Sequence, residues 1–173
     1  YRDHKVVMKD GTEIPTRTFL WVSGIRANAM PGISDDHMGR GFRFKVDQFN
    51  RIPGLDGVFA IGDQCLQTTD AAYPNGHPQV AQVAIQQAKN LAKNLKKINE
   101  GQDDSAFTAF KYNNLGSMAT IGRNKAVVEI GKFRSQGFFA WILWLVVHLR
   151  SILGVKNKMM VLLNWLWKYV SYN

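Results

Sequence analysis

The chain has 173 residues, of which 46% are hydrophobic and 20% are charged. This length supports one or two small domains with a buried core, and the hydrophobic content excludes a disordered tail. The formal charge of +9 implies an anionic partner, and because no RNA- or DNA-binding motif occurs, we expect a membrane surface or an anionic ligand and no nucleic acid.

The single cysteine and the ends of the chain set further limits. Cys65 excludes an internal disulfide, and we interpret it as a small packing residue, with a redox-active thiol as the alternative. The chain opens on polar residues, without a methionine and inside a predicted strand, so we expect a piece of a longer protein. The longest apolar run, residues 138–147, is too short to span a bilayer, which needs about 20 residues. No metal site is predicted.

The first 63 residues predict short strands of an α/β fold. Residues 5–24 are typical of a hairpin that turns at Asp10-Gly11 and returns through residues 19–22, which are apolar on both faces like a covered strand. Residues 26–42 indicate a loop or linker, and residues 42–47 alternate as a half-exposed strand does. Residues 58–61 predict a short buried strand that ends at Gly62-Asp63.

A long helix is predicted from Pro78 onward. Apolar residues recur there at helical spacing and predict one buried stripe, and lysines lie on the opposite face. Residues 99–104 are polar and indicate the end of the helix and a linker. The predicted stripe comprises Val80, Ala84, Ala88, Leu91, Leu95 and Ile98.

The C-terminal region predicts a β-hairpin, residues 117–121 and 126–130, followed by apolar helices from Phe138. On a helical wheel Asn157, Asn164, Lys168 and Ser171 fall in one narrow polar stripe, which favours a helix lying in the membrane interface over an ordinary surface helix. A buried core or a dimer seam is the alternative. The side chains expected at headgroup depth are Trp141, Trp144, Arg150, Lys156, Lys158, Trp165, Trp167, Lys168, Tyr169 and Tyr172.

The Gly62-Asp63 pair carries the first candidate binding group. A carboxylate at the carboxyl edge of a sheet lies where α/β folds bind ligands, and Asp63 can accept hydrogen bonds from the vicinal hydroxyls of a ribose or ribitol chain. Gly62 permits close approach to the backbone. The alternative is that Asp63 caps a local turn.

The start of the predicted helix carries the second candidate group. The N–H groups of Val80, Ala81 and Gln82 are expected to be free and to favour an anion or an electron-rich carbonyl in front of them. Gln82 and Gln86 are four residues apart and share one face, where two neutral amides suit a polar, uncharged ligand group. Two solvated glutamines are the alternative. His77 is interpreted as a loop or capping residue.

Residues 58–63 and 78–86 together resemble pyridine-nucleotide-dependent flavoprotein oxidoreductases. The first block is similar to the second FAD fingerprint of that superfamily. The sequence AQVAIQ at residues 81–86 resembles the AQxAxQ signature of type II NADH:quinone oxidoreductases. The segments at residues 20–27, 122–126 and 137–141 also resemble that family, in the same order along the chain.

The resemblance implies a role for each matching position. Asp63 would bind the ribitol of FAD, with Gly62 allowing close approach, and the backbone at Ala81 and Gln82 would face the O2/N1 side of the isoalloxazine. Gln82 and Gln86 would border a quinone headgroup pocket. The chemistry would be the flavin's, with a hydride from NADH and two electrons to quinone, so no catalytic side chain is assigned.

The resemblance also implies that the chain contains only part of each nucleotide-binding domain. The family has two G-x-G-x-x-G turns and this chain has neither, so residues 1–25 would be the last hairpin of the NADH-binding domain and residues 26–106 the C-terminal half of the FAD-binding domain. Residues 107–173 would form a membrane-binding and dimerisation region. The resemblance implies monotopic membrane binding and a homodimer, and we expect the protein on the cytoplasmic face of the cell membrane. We expect the chain alone neither to retain FAD tightly nor to oxidise NADH.

Two other functions remain open from the sequence. One is another quinone-reducing flavoprotein of the superfamily, such as a sulfide:quinone oxidoreductase, although that activity needs catalytic cysteines and Cys65 is alone. The other is a membrane-binding or dimerisation module without catalysis.

Overall fold

The computed structural model describes residues 1–22, 24–28 and 30–171. The chain divides into two units, Tyr1–Tyr112 and Asn113–Asn173. Small sheets and long helices occur together, so the predicted α/β class is confirmed. The elements of the first unit are β1 (Lys5–Val7), β2 (Glu13–Pro15), β3 (Phe44–Val46), β4 (Cys65–Gln67) and α1 (Ala81–Asn99). Those of the second are β5 (Ser117–Thr120), β6 (Ala126–Ile130), β7 (Phe133–Gly137), α2 (Phe138–Ser151) and α3 (Val155–Ser171).

The N-terminal hairpin turns where the sequence predicts but returns earlier. Strands β1 and β2 pair antiparallel around a turn in which the carboxylate of Asp10 accepts the Thr12 N–H at 2.9 Å. The prediction that residues 19–22 form the covered return strand is wrong, since Trp21 is 77% and Val22 91% exposed. The reason is that no strand among the described residues pairs with this segment. Ser23, its expected end, lies outside the described residues.

The core of the first unit lies beside a parallel pair of strands. Strand β3 pairs with β4, with Phe44 opposite Cys65, and both side chains are buried together with Val46, Ile52 and Ala60. The prediction that residues 58–61 form a buried strand is wrong. Because this segment folds back onto residues 50–52, it makes a single bridge, from Phe59 to Arg51, and joins no sheet.

Helix α1 begins three residues later than predicted and buries a different face. Val80 is its N-cap in extended conformation, so Pro78 precedes the helix and does not open it. The buried residues are Val83, Gln87 and Asn94. The predicted apolar stripe is wrong, because Val80, Leu95 and Ile98 are exposed while amides that bond to neighbouring loops take the interior.

The second unit is a three-stranded antiparallel sheet that α2 covers. The predicted hairpin of β5 and β6 is confirmed, and β7 adds a third strand that the sequence did not predict. Gly116 precedes β5 with φ +99°, and a Cβ there would overlap the carbonyl oxygen of Glu129. Ala126, Val128 and Ala140 form the buried centre of this unit.

Helix α3 packs along α2 through aromatic pairs. Trp141 stacks on Tyr169 and Trp144 lies against Trp165, each with ring centroids 5.9 Å apart. The guanidinium of Arg123 donates to the Tyr169 carbonyl at 2.8 Å, which holds the end of α3 against the β5–β6 turn. No helix in the described part of the chain is both long enough and apolar enough to cross a membrane.

Candidate functional site

The Gly62-Asp63 turn lies directly against α1, as the sequence suggests. Gly62 has φ +64°, and a Cβ at this position would approach the Ala84 Cβ to 3.1 Å, so both the backbone conformation and the close contact favour glycine. The Gly62 N–H donates to Oε1 of Gln87 at 2.7 Å. The turn before β4 and the helix α1 are therefore joined by one close contact and one short hydrogen bond.

Asp63 occupies the middle of that turn, with its side chain exposed. The turn spans Gly62–Gln64 and its N-cap is Ile61, so Asp63 is not the capping residue. Its backbone carbonyl accepts a hydrogen bond from Nε2 of Gln79 at 3.0 Å, just before α1 begins. The exposed carboxylate is thus held beside the start of the helix through its own backbone.

The start of α1 presents its positive end without a carboxylate of its own. The Val80 side chain makes no capping hydrogen bond, and the first turn contains no acidic residue. The expectation that the Val80 N–H is free is wrong, because it donates to the Pro78 carbonyl at 3.0 Å. Gln82 and Gln86 lie one turn apart on the same side of the helix, and both are half-buried.

Cys65 ends the Asp63 turn and lies in the core. Its sulfur accepts hydrogen bonds from Nδ2 of Asn50 at 3.4 Å and from Nε2 of Gln87 at 3.3 Å. Burial raises the pKa of the thiol, and the two amide donors act in the opposite direction. This environment suits a packing residue better than a reactive thiolate, which needs an exposed, electropositive setting.

His77 anchors the loop that leads into α1, a role the sequence did not reveal. The ring is buried, its Nε2 lies 3.0 Å from Oδ2 of Asp70, and aromatic rings surround it: Tyr73, Phe110 and Tyr112. The hydrogen bond from His77 lowers the pKa of the Asp70 carboxyl. Arg43, also buried, donates to the His77 carbonyl at 3.1 Å. The loop before α1 is therefore fixed by buried polar contacts.

The second unit concentrates positive charge and exposed apolar surface. From residue 113 onward the sequence has eight Lys and Arg residues and one acidic residue, Glu129. The apolar side chains exposed on α2 and α3 include Phe138, Ile142, Val146, Met159, Leu163, Leu166, Trp167 and Val170. A groove of about 800 Å³ between these helices is lined almost wholly by apolar and aromatic side chains.

The structure divides the residues predicted at headgroup depth into two sets. Trp141, Trp144 and Trp165 are half-buried between α2 and α3, so they hold the helices together instead of standing on the surface. Lys158 is also half-buried. The exposed set comprises Arg150, Lys156, Trp167, Lys168 and Tyr169, and Tyr172 lies outside the described residues.

Two family models match most of this chain. Residues 2–88 match the model described as pyridine nucleotide-disulphide oxidoreductase, and residues 114–171 match the NDH2 C-terminal domain. The chain belongs to the pyridine nucleotide-disulphide oxidoreductase family. Within that family, the resemblance to type II NADH:quinone oxidoreductases that the residues predict is confirmed.

The curated relatives are almost three times as long as this chain. It is 36% identical to the type II NADH:quinone oxidoreductase Ndh of Mycobacterium tuberculosis, across 94% of the chain and 35% of that protein. It is 33% identical to the mitochondrial internal alternative NAD(P)H-ubiquinone oxidoreductase A1 of Arabidopsis thaliana, across 98% of the chain and 36% of that protein.

A solved structure shares the fold of the chain. NDH2 from Plasmodium falciparum, determined in complex with NADH, superimposes with a TM-score of 0.62 at 17% identity, covering 75% of this chain and 39% of that one. The chain therefore spans a little over a third of the length of the proteins it resembles.

Proposed function

We propose that this chain is the C-terminal part of a membrane-bound flavoprotein that passes electrons from NADH through FAD to a quinone. The observation that carries the proposal is the exposed Asp63 carboxylate, held beside the uncapped start of α1 by the hydrogen bond from Gln79 to the Asp63 carbonyl. When bound, FAD supplies the chemistry, accepting a hydride and giving up two electrons. The protein supplies position and electrostatics.

The residues present fit the ribitol and isoalloxazine ends of FAD. The Asp63 carboxylate would accept hydrogen bonds from the ribitol hydroxyls, and Gly62 would let the cofactor approach the backbone. The backbone at Val80, Ala81 and Gln82 would face the isoalloxazine. There the positive end of a 19-residue helix, with no acidic residue in its first turn, favours negative charge.

The side chains of Gln82 and Gln86 would border the quinone headgroup. A quinone offers carbonyl oxygens and no charge, and a neutral amide can donate to such an oxygen without placing a charge beside it. Both residues are half-buried.

The chain by itself would have incomplete cofactor sites. We assign residues 1–25 to the end of the NADH-binding domain, residues 26–106 to half of the FAD-binding domain, and residues 107–173 to the membrane and dimer region. Gel filtration of the 173-residue chain with added FAD tests this assignment. The flavin should elute separately, whereas the full-length protein should carry it, and a stably yellow 173-residue chain would contradict the assignment.

The second unit would bind an anionic membrane surface, as a homodimer on the cytoplasmic face of the cell membrane. Exposed apolar side chains on α3 would enter the interface, and the surrounding cations would meet anionic headgroups, while Asn157 and Asn164 stay toward water. Deleting residues 156–173 should release the full-length protein from anionic liposomes. Undiminished sedimentation of the deletion variant with liposomes would refute the role of α3.

A further inference from the structure

We propose that Gln87 is a positioning residue for the flavin site, a role that rests on the proposed function. Its side-chain amide sets where the Asp63 turn lies relative to α1. Gln87 directly follows the AQVAIQ segment and differs from Gln82 and Gln86 in facing the interior, with only 1% of its surface exposed.

One amide spans the whole turn that carries Asp63. Oε1 of Gln87 accepts the Gly62 N–H at 2.7 Å, at the first residue of the turn. Nε2 of the same side chain donates to Sγ of Cys65 at 3.3 Å, at the residue that caps the other end. Asp63 lies between these two points and is therefore fixed from both sides by a single residue of α1.

A second contact ties the same turn to the same helix face. Ala84 lies three residues before Gln87, so both face one way, and Ala84 closely approaches Gly62. The packing contact sets how near the turn can come to α1, and the hydrogen bond sets its orientation. Sγ is a weak acceptor, so the bond to the Gly62 N–H is the more important of the two.

The test replaces Gln87 in the full-length, FAD-containing protein. Gln87→Met keeps the length of the side chain and removes both hydrogen bonds. Gln87→Glu keeps an acceptor for the Gly62 N–H in either protonation state, and in its ionised form it has no donor for Cys65. Cys65→Ala removes only the sulfur. The readouts are the FAD dissociation constant, the visible circular dichroism of bound FAD, and the thermal midpoint.

Asn94 provides the matched control on the same helix. Its amide is equally buried two turns further on, where it bonds to the backbone of Thr108 in both directions at 2.9 Å. Asn94→Leu, which keeps the size of the side chain and removes its hydrogen bonds, should lower the thermal midpoint as Gln87→Met does, yet leave the FAD dissociation constant and the flavin dichroism unchanged.

We expect Gln87→Met to weaken FAD binding by about ten- to a hundredfold and to alter the flavin dichroism. Gln87→Glu should recover most of the affinity, and Cys65→Ala should change it little. If the Met variant does not fold, Gln87→Asn, shorter by one methylene, should show the same loss. Unchanged FAD binding in a destabilised Gln87→Met would overturn the positioning role. A wild-type full-length protein that binds no FAD would instead overturn the proposed function.

Discussion

The proposed membrane role of α3 predicts how much vesicle binding is lost when exposed leucines of this helix are replaced. Leu163 and Leu166 are 57% and 54% exposed, and complete burial of a leucine is worth about 1.5–3 kcal/mol, so transfer into the interface gains about 1 kcal/mol from each. Replacing both by alanine should cost about 1.5–2 kcal/mol, which is roughly a ten- to thirtyfold weaker partition into vesicles. Because neither side chain belongs to the buried centre of its unit, the fold should persist.

The assay is co-sedimentation with vesicles that contain phosphatidylserine, compared with vesicles of phosphatidylcholine alone. Asn164→Ala is the matched control, since Asn164 lies between the two leucines in sequence but belongs to the polar stripe of α3. It should bind like the wild type. Equal binding of the double leucine variant and the wild type, or an equal loss in Asn164→Ala, would refute the orientation assigned to α3.

Two further predictions concern stability. Asp70→Asn should lower the free energy of unfolding by about 1–3 kcal/mol at neutral pH, because it weakens the buried bond to His77. That bond depresses the pKa of Asp70 in the folded state, so its contribution to stability is complete above about pH 4 and is lost as the pH falls further. In urea titrations the free energies of unfolding of the wild type and the variant should therefore converge in acid. A difference that stays constant into acid would exclude the carboxylate as its source. Gly116→Ala should destabilise the second unit by about 1–3 kcal/mol, because of its positive φ and the overlap with the Glu129 carbonyl, and an unchanged thermal midpoint would contradict that geometry.

The sequence predicted the existence of α1 better than its orientation. Helical spacing over twenty residues is a strong local signal, and the helix does form. Its buried face depends on partners far along the chain: Gln87 bonds to Gly62, and Asn94 bonds to Thr108. Hydrophobic periodicity treats both amides as solvent-facing. The predicted buried face of α1 therefore differs from the observed one by almost a quarter of a turn about the helix axis.

Other differences have similar causes. Strand β7 has no apolar alternation and forms because β6 offers it an edge. Asp70 and His77 gain their importance from Phe110 and Tyr112, more than thirty residues later, which no local pattern reveals. The Gly62-Asp63 turn and a helix starting shortly after it were predictable because the chemistry of glycine turns and helix starts is local, and the structure brings the two together. The strand expected before the turn was not, because it depended on pairing with a distant partner.

The most direct test of the account is quinone-dependent NADH oxidation by the full-length protein, with a soluble quinone analogue. We predict that the wild type oxidises NADH and reduces the quinone, and that Gln82→Ala/Gln86→Ala loses quinone turnover by about tenfold or more while keeping its FAD. Lys93→Ala, exposed on α1, should behave as the wild type. A full-length protein that holds FAD but does not couple NADH oxidation to quinone reduction would contradict the proposed function, and full turnover in the double variant would contradict the proposed quinone pocket.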